Sequence, residues 1–94
     1  MSSIKLSVIM PVFNEQDYVR EAIESILVQT FNDFEFIIIN DGSEDESLQI
    51  IESFNDKRII TINNNKNIGI AESLNKGINY SKGEYIARMD ANDI

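Results

Sequence analysis

Short, nearly unbroken apolar runs alternate along this chain with longer stretches whose apolar residues return every three or four positions. "IKLSVIMPVF" (4–13) reads as a buried strand, β-branched in part and broken at Pro11. "NEQDYVREAIESILVQT" (14–30) reads as a helix, because Tyr18, Val19, Ala22, Ile23, Ile26 and Leu27 share one face. Asn14 is placed to cap it, and Glu15 and Asp17 suit the positive end of its dipole. "FEFIIIND" (34–41) is apolar on both faces, as a central parallel strand requires. "GSEDESLQIIESF" (42–54) gives a turn and a helix with Ser43 as cap, and "RIITIN" (58–63) a third strand. After the polar loop "NNKNIG" (64–69), "IAESLNKGINYSK" (70–82) reads as a third helix weakened by Gly77, and "GEYIARM" (83–89) as a fourth strand.

This β-α-β-α-β-α-β order predicts a three-layer α/β/α fold with a mainly parallel sheet and right-handed crossovers. In such sheets ligands bind beyond the carboxyl ends of the strands. The polar residues collect there: Pro11 to Glu15 after the first strand, Asn40 to Ser43 after the second, Asn63 to Gly69 after the third and Asp90 to Asp93 after the fourth. Each segment alone has a plain structural reading as a turn, a cap or a solvated loop, and Asn63, Asn64 and Asn65 are given no role. Their convergence on one edge is the functional signal. Hard oxygen ligands at a strand end (Asp90, Asn92, Asp93) suit Mg²⁺ or Mn²⁺.

Charge and composition narrow the chemistry. The net charge is −8, which disfavours nucleic acid and anionic membranes as partners. With no cysteine and no histidine, disulfides, Cys/His zinc sites and histidine or cysteine catalysis are excluded within these 94 residues. The N-terminal apolar run is too short for a signal peptide, and no stretch is long enough to span a bilayer, so a cytoplasmic location is expected. There is no G-x-G-x-x-G after the first strand and no G-x-x-x-x-G-K-[ST], so phosphates would need a metal or helix N-termini.

"LSVIMPVFNEQDYVREAIESILVQTFNDFEFIIINDGSEDES", continued through "NKNIGIAESLNKGI" and "KGEYIARMDANDI", resembles the start of a family 2 glycosyltransferase with the Rossmann-like GT-A fold. The resemblance covers essentially residues 1–94 and implies the N-terminal, nucleotide-sugar-binding half of such a domain. It implies that Pro11, Val12 and Phe13 pack against the nucleotide base, with the Phe13 ring as platform and Glu15 beside it. Asp41 resembles the carboxylate that accepts a hydrogen bond from a uracil-like base. Asn67, Gly69 and Asn75 resemble residues bordering the nucleotide pocket. Asp90, Ala91 and Asn92 occupy the D-x-D position, which binds the ribose and a divalent metal on the diphosphate.

The implied reaction is inverting transfer from a UDP- or dTDP-linked sugar to a carbohydrate or lipid-linked acceptor, with Mg²⁺ or Mn²⁺ as cofactor. Two features depart from the pattern. The motif reads D-A-N, so Asn92 supplies an oxygen but no charge unless Asp93 takes over. No residue here matches the catalytic base, which the family carries further along. An exposed fourth strand would also favour self-association. Two rivals stand beside this reading. One is a nucleotide-binding module without chemistry. The other is an acidic receiver-type domain, which would need a lysine at a later strand end where none stands.

Overall fold

The computed structural model describes residues 5–29 and 33–91. Its elements are β1 (Leu6–Val12), α1 (Val19–Leu27), β2 (Phe34–Asp41), α2 (Ser47–Glu52), β3 (Ile59–Asn64), α3 (Ile70–Tyr80) and β4 (Tyr85–Arg88). The four strands form one parallel sheet in the order β3-β2-β1-β4. β2 is buried along its whole length, as its two-faced apolar run predicts. Val8, Met10, Val12, Phe36 and Ile38 face α1 and α2, packing on Val19, Ala22, Ile23 and Ile51. Ile9, Ile37 and Ile39 face the other way and meet Leu74 of α3. The result is the expected three-layer α/β/α arrangement.

Chain order and strand order diverge at one place. β1, β2 and β3 follow one another outward, and then α3 carries the chain back across the opposite face to set β4 on the far side of β1. The gap between β1 and β4 is therefore the topological switch point, where loops diverge and leave a crevice.

Several local expectations change. Pro11 lies within β1, in register with Ile39, and does not end it. Met89 N–H donates to the Ile9 carbonyl at 3.0 Å, and Pro11 shares the parity of Ile9. Its nitrogen therefore faces the β4 side, beyond the last β1–β4 pair at Ile9 and Arg88, where no strand needs a donor. Asn14 does not cap α1. It has φ 51°, in the left-handed region that Asn tolerates, and a turn closed by Tyr18 N–H to Glu15 C=O at 2.9 Å delays the helix to Val19. Ser43 does not cap α2, whose first turn instead takes Asp45 Oδ1 on the Ser47 N–H at 2.9 Å.

Gly77 has a purpose that helix propensity hides. A Cβ there would lie 2.6 Å from Ile9 Cγ2 and 2.9 Å from Ile39 Cδ1. The missing side chain lets α3 lie directly on β1 and β2. β4 is one of the two edge strands of this sheet among the described residues, with Tyr85 61% and Ile86 48% exposed.

Candidate functional site

At the switch point lies a cleft of about 330 Å³. β1 and the loop after it supply Pro11, Val12, Phe13 and Glu15, and β2 supplies Asp41. The turn into α3 supplies Asn67, Gly69 and Ile70, and the end of β4 supplies Asp90 and Ala91. Nine of the residues expected at a ligand site thus meet in one concavity. Asn75 does not join them. It stands exposed on α3, 3.5 Å from Glu72 Oε1, because its place in the helix turns it away from the strand ends. Asn92 and Asp93 lie outside the described residues.

Asp41 is the most heavily bonded side chain in the cleft. Its Oδ1 accepts from Asn64 Nδ2 and Ile68 N–H, both at 2.9 Å. Its Oδ2 accepts from Asn67 Nδ2 at 2.8 Å and Gly69 N–H at 2.9 Å. The residue is 2% exposed. Burial would raise its pKa, but these bonds, led by the Ile68 N–H and the Asn64 amide, outweigh burial and hold it below the ordinary value. Behind it, Asn64 also donates to Ser73 Oγ at 3.2 Å and accepts from Lys76 Nζ at 2.6 Å. The sequence pattern places Asn64 in a solvated loop. β3 runs two residues past its apolar run, to Asn64, which sets Asn64 in register with Asp41 and buries it.

The loops after β1 and β2 clasp each other. Asn14 N–H donates to Ser43 Oγ at 3.0 Å, and Glu44 N–H returns a bond to Asn14 Oδ1 at 2.8 Å. Glu15 N–H donates to Ser47 Oγ at 2.9 Å and Gln16 N–H to Asp45 Oδ2 at 3.1 Å. Glu46 N–H donates to Gln16 Oε1 at 3.0 Å. This lattice fixes Phe13 and Glu15 at the mouth of the cleft. Burial raises the Glu15 pKa, and the negative charges of Asp45 and Asp90 raise it further. Asp90 meets the Arg88 guanidinium at 3.2 Å in a half-exposed ion pair.

Beyond the wall made by Phe13 and Asn67 lies a second, polar cleft lined by Asn40, Ser43, Leu48 and the 63–67 loop. Asn40 donates to Asn63 Oδ1 at 3.2 Å, and its own Oδ1 is the buried side-chain polar atom left without a partner among the described residues. A groove under Leu6, Phe34 and Met89 is mostly apolar, with Gln29 and Arg88 as its polar lining residues. Ile70 is the cleft residue that sequence reading did not anticipate, since an apolar residue opening a helix looks like core.

Comparison with known proteins converges on one family. The profile of Glycosyl transferase family 2 matches residues 7–94. An uncharacterized glycosyltransferase of Haemophilus influenzae is 46% identical over 91 residues, 95% of this chain and 28% of its own length. One from Methanocaldococcus jannaschii is 45% identical over 93 residues, 95% of this chain and 32% of its own length. The chain therefore spans about a third or less of the relatives it matches. Among solved structures, S. aureus TarS 1–349 in complex with UDP-GlcNAc superposes with a TM-score of 0.89 at 29% identity, covering 94% of this chain and 26% of TarS 1–349. The mannosyltransferase PcManGT of Pyrobaculum calidifontis, in complex with GDP-Man and Mn²⁺, shares the fold with a TM-score of 0.87 at 21% identity, covering 98% of this chain and 28% of its own.

Proposed function

The chain belongs to glycosyl transferase family 2, with the GT-A fold, and on that premise we propose that residues 1–94 are the donor-binding portion of an inverting glycosyltransferase. The donor is a nucleoside diphosphate sugar, UDP- or dTDP-linked, and the acceptor site and the catalytic base belong to residues outside this chain. The observation that carries the reading is the meeting of four separate loops in one cleft at the switch point.

In this reading the Phe13 ring offers a face to the base. Asp41 holds the 67–69 loop as a fixed wall. Because Asp41 already takes the Ile68 and Gly69 N–H groups, the turn into α3 has little left to offer a phosphate. That task falls to a cation near Asp90. The donor set fits a hard divalent ion: Mg²⁺ takes one or two carboxylates and fills its shell with substrate phosphate and water. Asp90 lines the cleft with Glu15 close enough to feel its charge, and no group of three metal-ligating acids occurs among the described residues. Asp90, with Asn92 and Asp93, would hold Mg²⁺ or Mn²⁺, which would neutralise charge building on the departing diphosphate. Both Arg88 bonds, from Nε and Nη2, go to Asp90 Oδ1.

The test is an NMR shift titration of this chain with UDP, with and without Mg²⁺, repeated in Asn92→Asp. We expect metal-dependent shifts at Phe13, Asp41 and Asp90, with tighter binding in the variant. A folded sample unmoved by millimolar UDP would overturn the proposal.

A further inference from the structure

Two large apolar side chains reach solvent inside the cleft. Phe13 is 41% exposed and Ile70 is 55% exposed, whereas Val12 and Ala91 are buried. They come from different elements, one from the loop after β1 and the other from the first position of α3. Ile70 is held in place from behind. Gly69, at φ 100°, turns the chain into α3, and a Cβ there would meet nothing within 4 Å, so the cleft is open beside Gly69. Asp41 pins the N–H groups of Ile68 and Gly69, so the approach to Ile70 is anchored on a buried carboxylate.

An isoleucine in this position does little for the fold. It buries less than half of its surface. Its apolar area is repaid only when something apolar covers it. The ligand proposed above brings one flat apolar object, the base, and a flat object has two faces.

We propose that Ile70 is the second jaw of a base clamp, closing on the face of the nucleobase opposite Phe13. This rests on the nucleotide reading given above and assigns it a residue that contributes affinity for the base and none for the phosphates. Because stacking is tolerant of base identity, the clamp selects nucleotides over base-free phosphates without choosing among bases.

The experiment compares UDP with ribose 5-phosphate, both with Mg²⁺, on the wild-type chain and on Ile70→Ala and Ile70→Leu. Ile70 is surface-exposed, so neither variant threatens folding. Ile70→Ala is expected to weaken UDP about three- to tenfold and to leave ribose 5-phosphate unchanged, with Ile70→Leu restoring most of the loss. The Ile70 δ1-methyl resonance is expected to move upfield with UDP, through the ring current of the stacked base, and to stay still with ribose 5-phosphate. Equal weakening of both ligands, or a stationary Ile70 methyl while Phe13 and Asp90 respond to UDP, would overturn the clamp and leave the nucleotide reading standing. Failure of UDP to bind the folded wild-type chain would remove the nucleotide reading, and the clamp with it.

Discussion

Replacing Asp41 with asparagine changes one oxygen to an amide nitrogen and removes a charge, with almost no change of shape. Four donors converge on that carboxylate. The new amide must point its nitrogen at one pair of them. The Asn67 side chain is exposed and can turn over to accept, so the amide nitrogen settles on that side. Gly69 N–H cannot turn, and losing its acceptor costs about 1–3 kcal/mol. The two bonds kept on the other oxygen lose their charge assistance, about 1 kcal/mol each. Relief from burying a charge offsets part of this. The net expectation is a loss of about 2–4 kcal/mol, a large share of the 5–15 kcal/mol typical of a domain. Urea unfolding followed by circular dichroism would show a lower midpoint with an unchanged slope. The pH dependence supplies a second check. The folded pKa of Asp41 is depressed, so its contribution is present above the ordinary value of 3.8 and fades as pH falls through the lower folded value. The gap between wild type and variant should therefore narrow in acid. A destabilisation below about 0.5 kcal/mol at neutral pH, within the range of ordinary surface substitutions, would refute the loop-anchor account.

Gly77→Ala is expected to destabilise by about 1 kcal/mol, because overpacking against Ile9 and Ile39 costs about 1–3 kcal/mol and the gain in helix propensity returns about 0.8–1 kcal/mol. A higher melting temperature would show that α3 can shift outward without penalty. Asp56 accepts hydrogen bonds from the Arg58 side chain (Nε at 3.0 Å, Nη2 at 2.8 Å) and from its backbone N–H at 2.9 Å, and together these lower its pKa to about 2. With a quarter of its side chain exposed, the pair should contribute about 1–2 kcal/mol above pH 4, lost as pH falls toward 2. Asp56→Asn should flatten that limb of the stability curve, and an unchanged limb would place the acid sensitivity elsewhere.

The strand pattern was legible because burial on both faces writes itself as an unbroken apolar run, clearest at 34–41. Three-fold alternation of strand and helix then gave the layers, and the strand-end rule gave the edge on which Phe13, Glu15, Asp41 and Asp90 meet. What escaped depended on contacts between distant residues. Asn64 looks like loop until β3 pairs it with Asp41. Gly77 looks like a weak spot until α3 meets Ile9. Asn14 looks like a cap, yet its left-handed backbone and its bonds to the next loop cannot be read from neighbours in sequence. Asn75 entered through family resemblance alone, and no local physics placed it near the cleft.

The clasp between the loops after β1 and β2 constrains how this surface can change over generations or in the hands of an engineer. Each loop completes the backbone of the other: Asn14 and Gln16 serve amides at 44 and 46, while Ser43, Asp45 and Ser47 serve amides at 14, 15 and 16. Grafting a foreign loop after β1 alone would hand these mostly exposed amides to water and free the two loops from each other. The two loops, separated by an intervening helix and strand, are therefore best exchanged as a single unit.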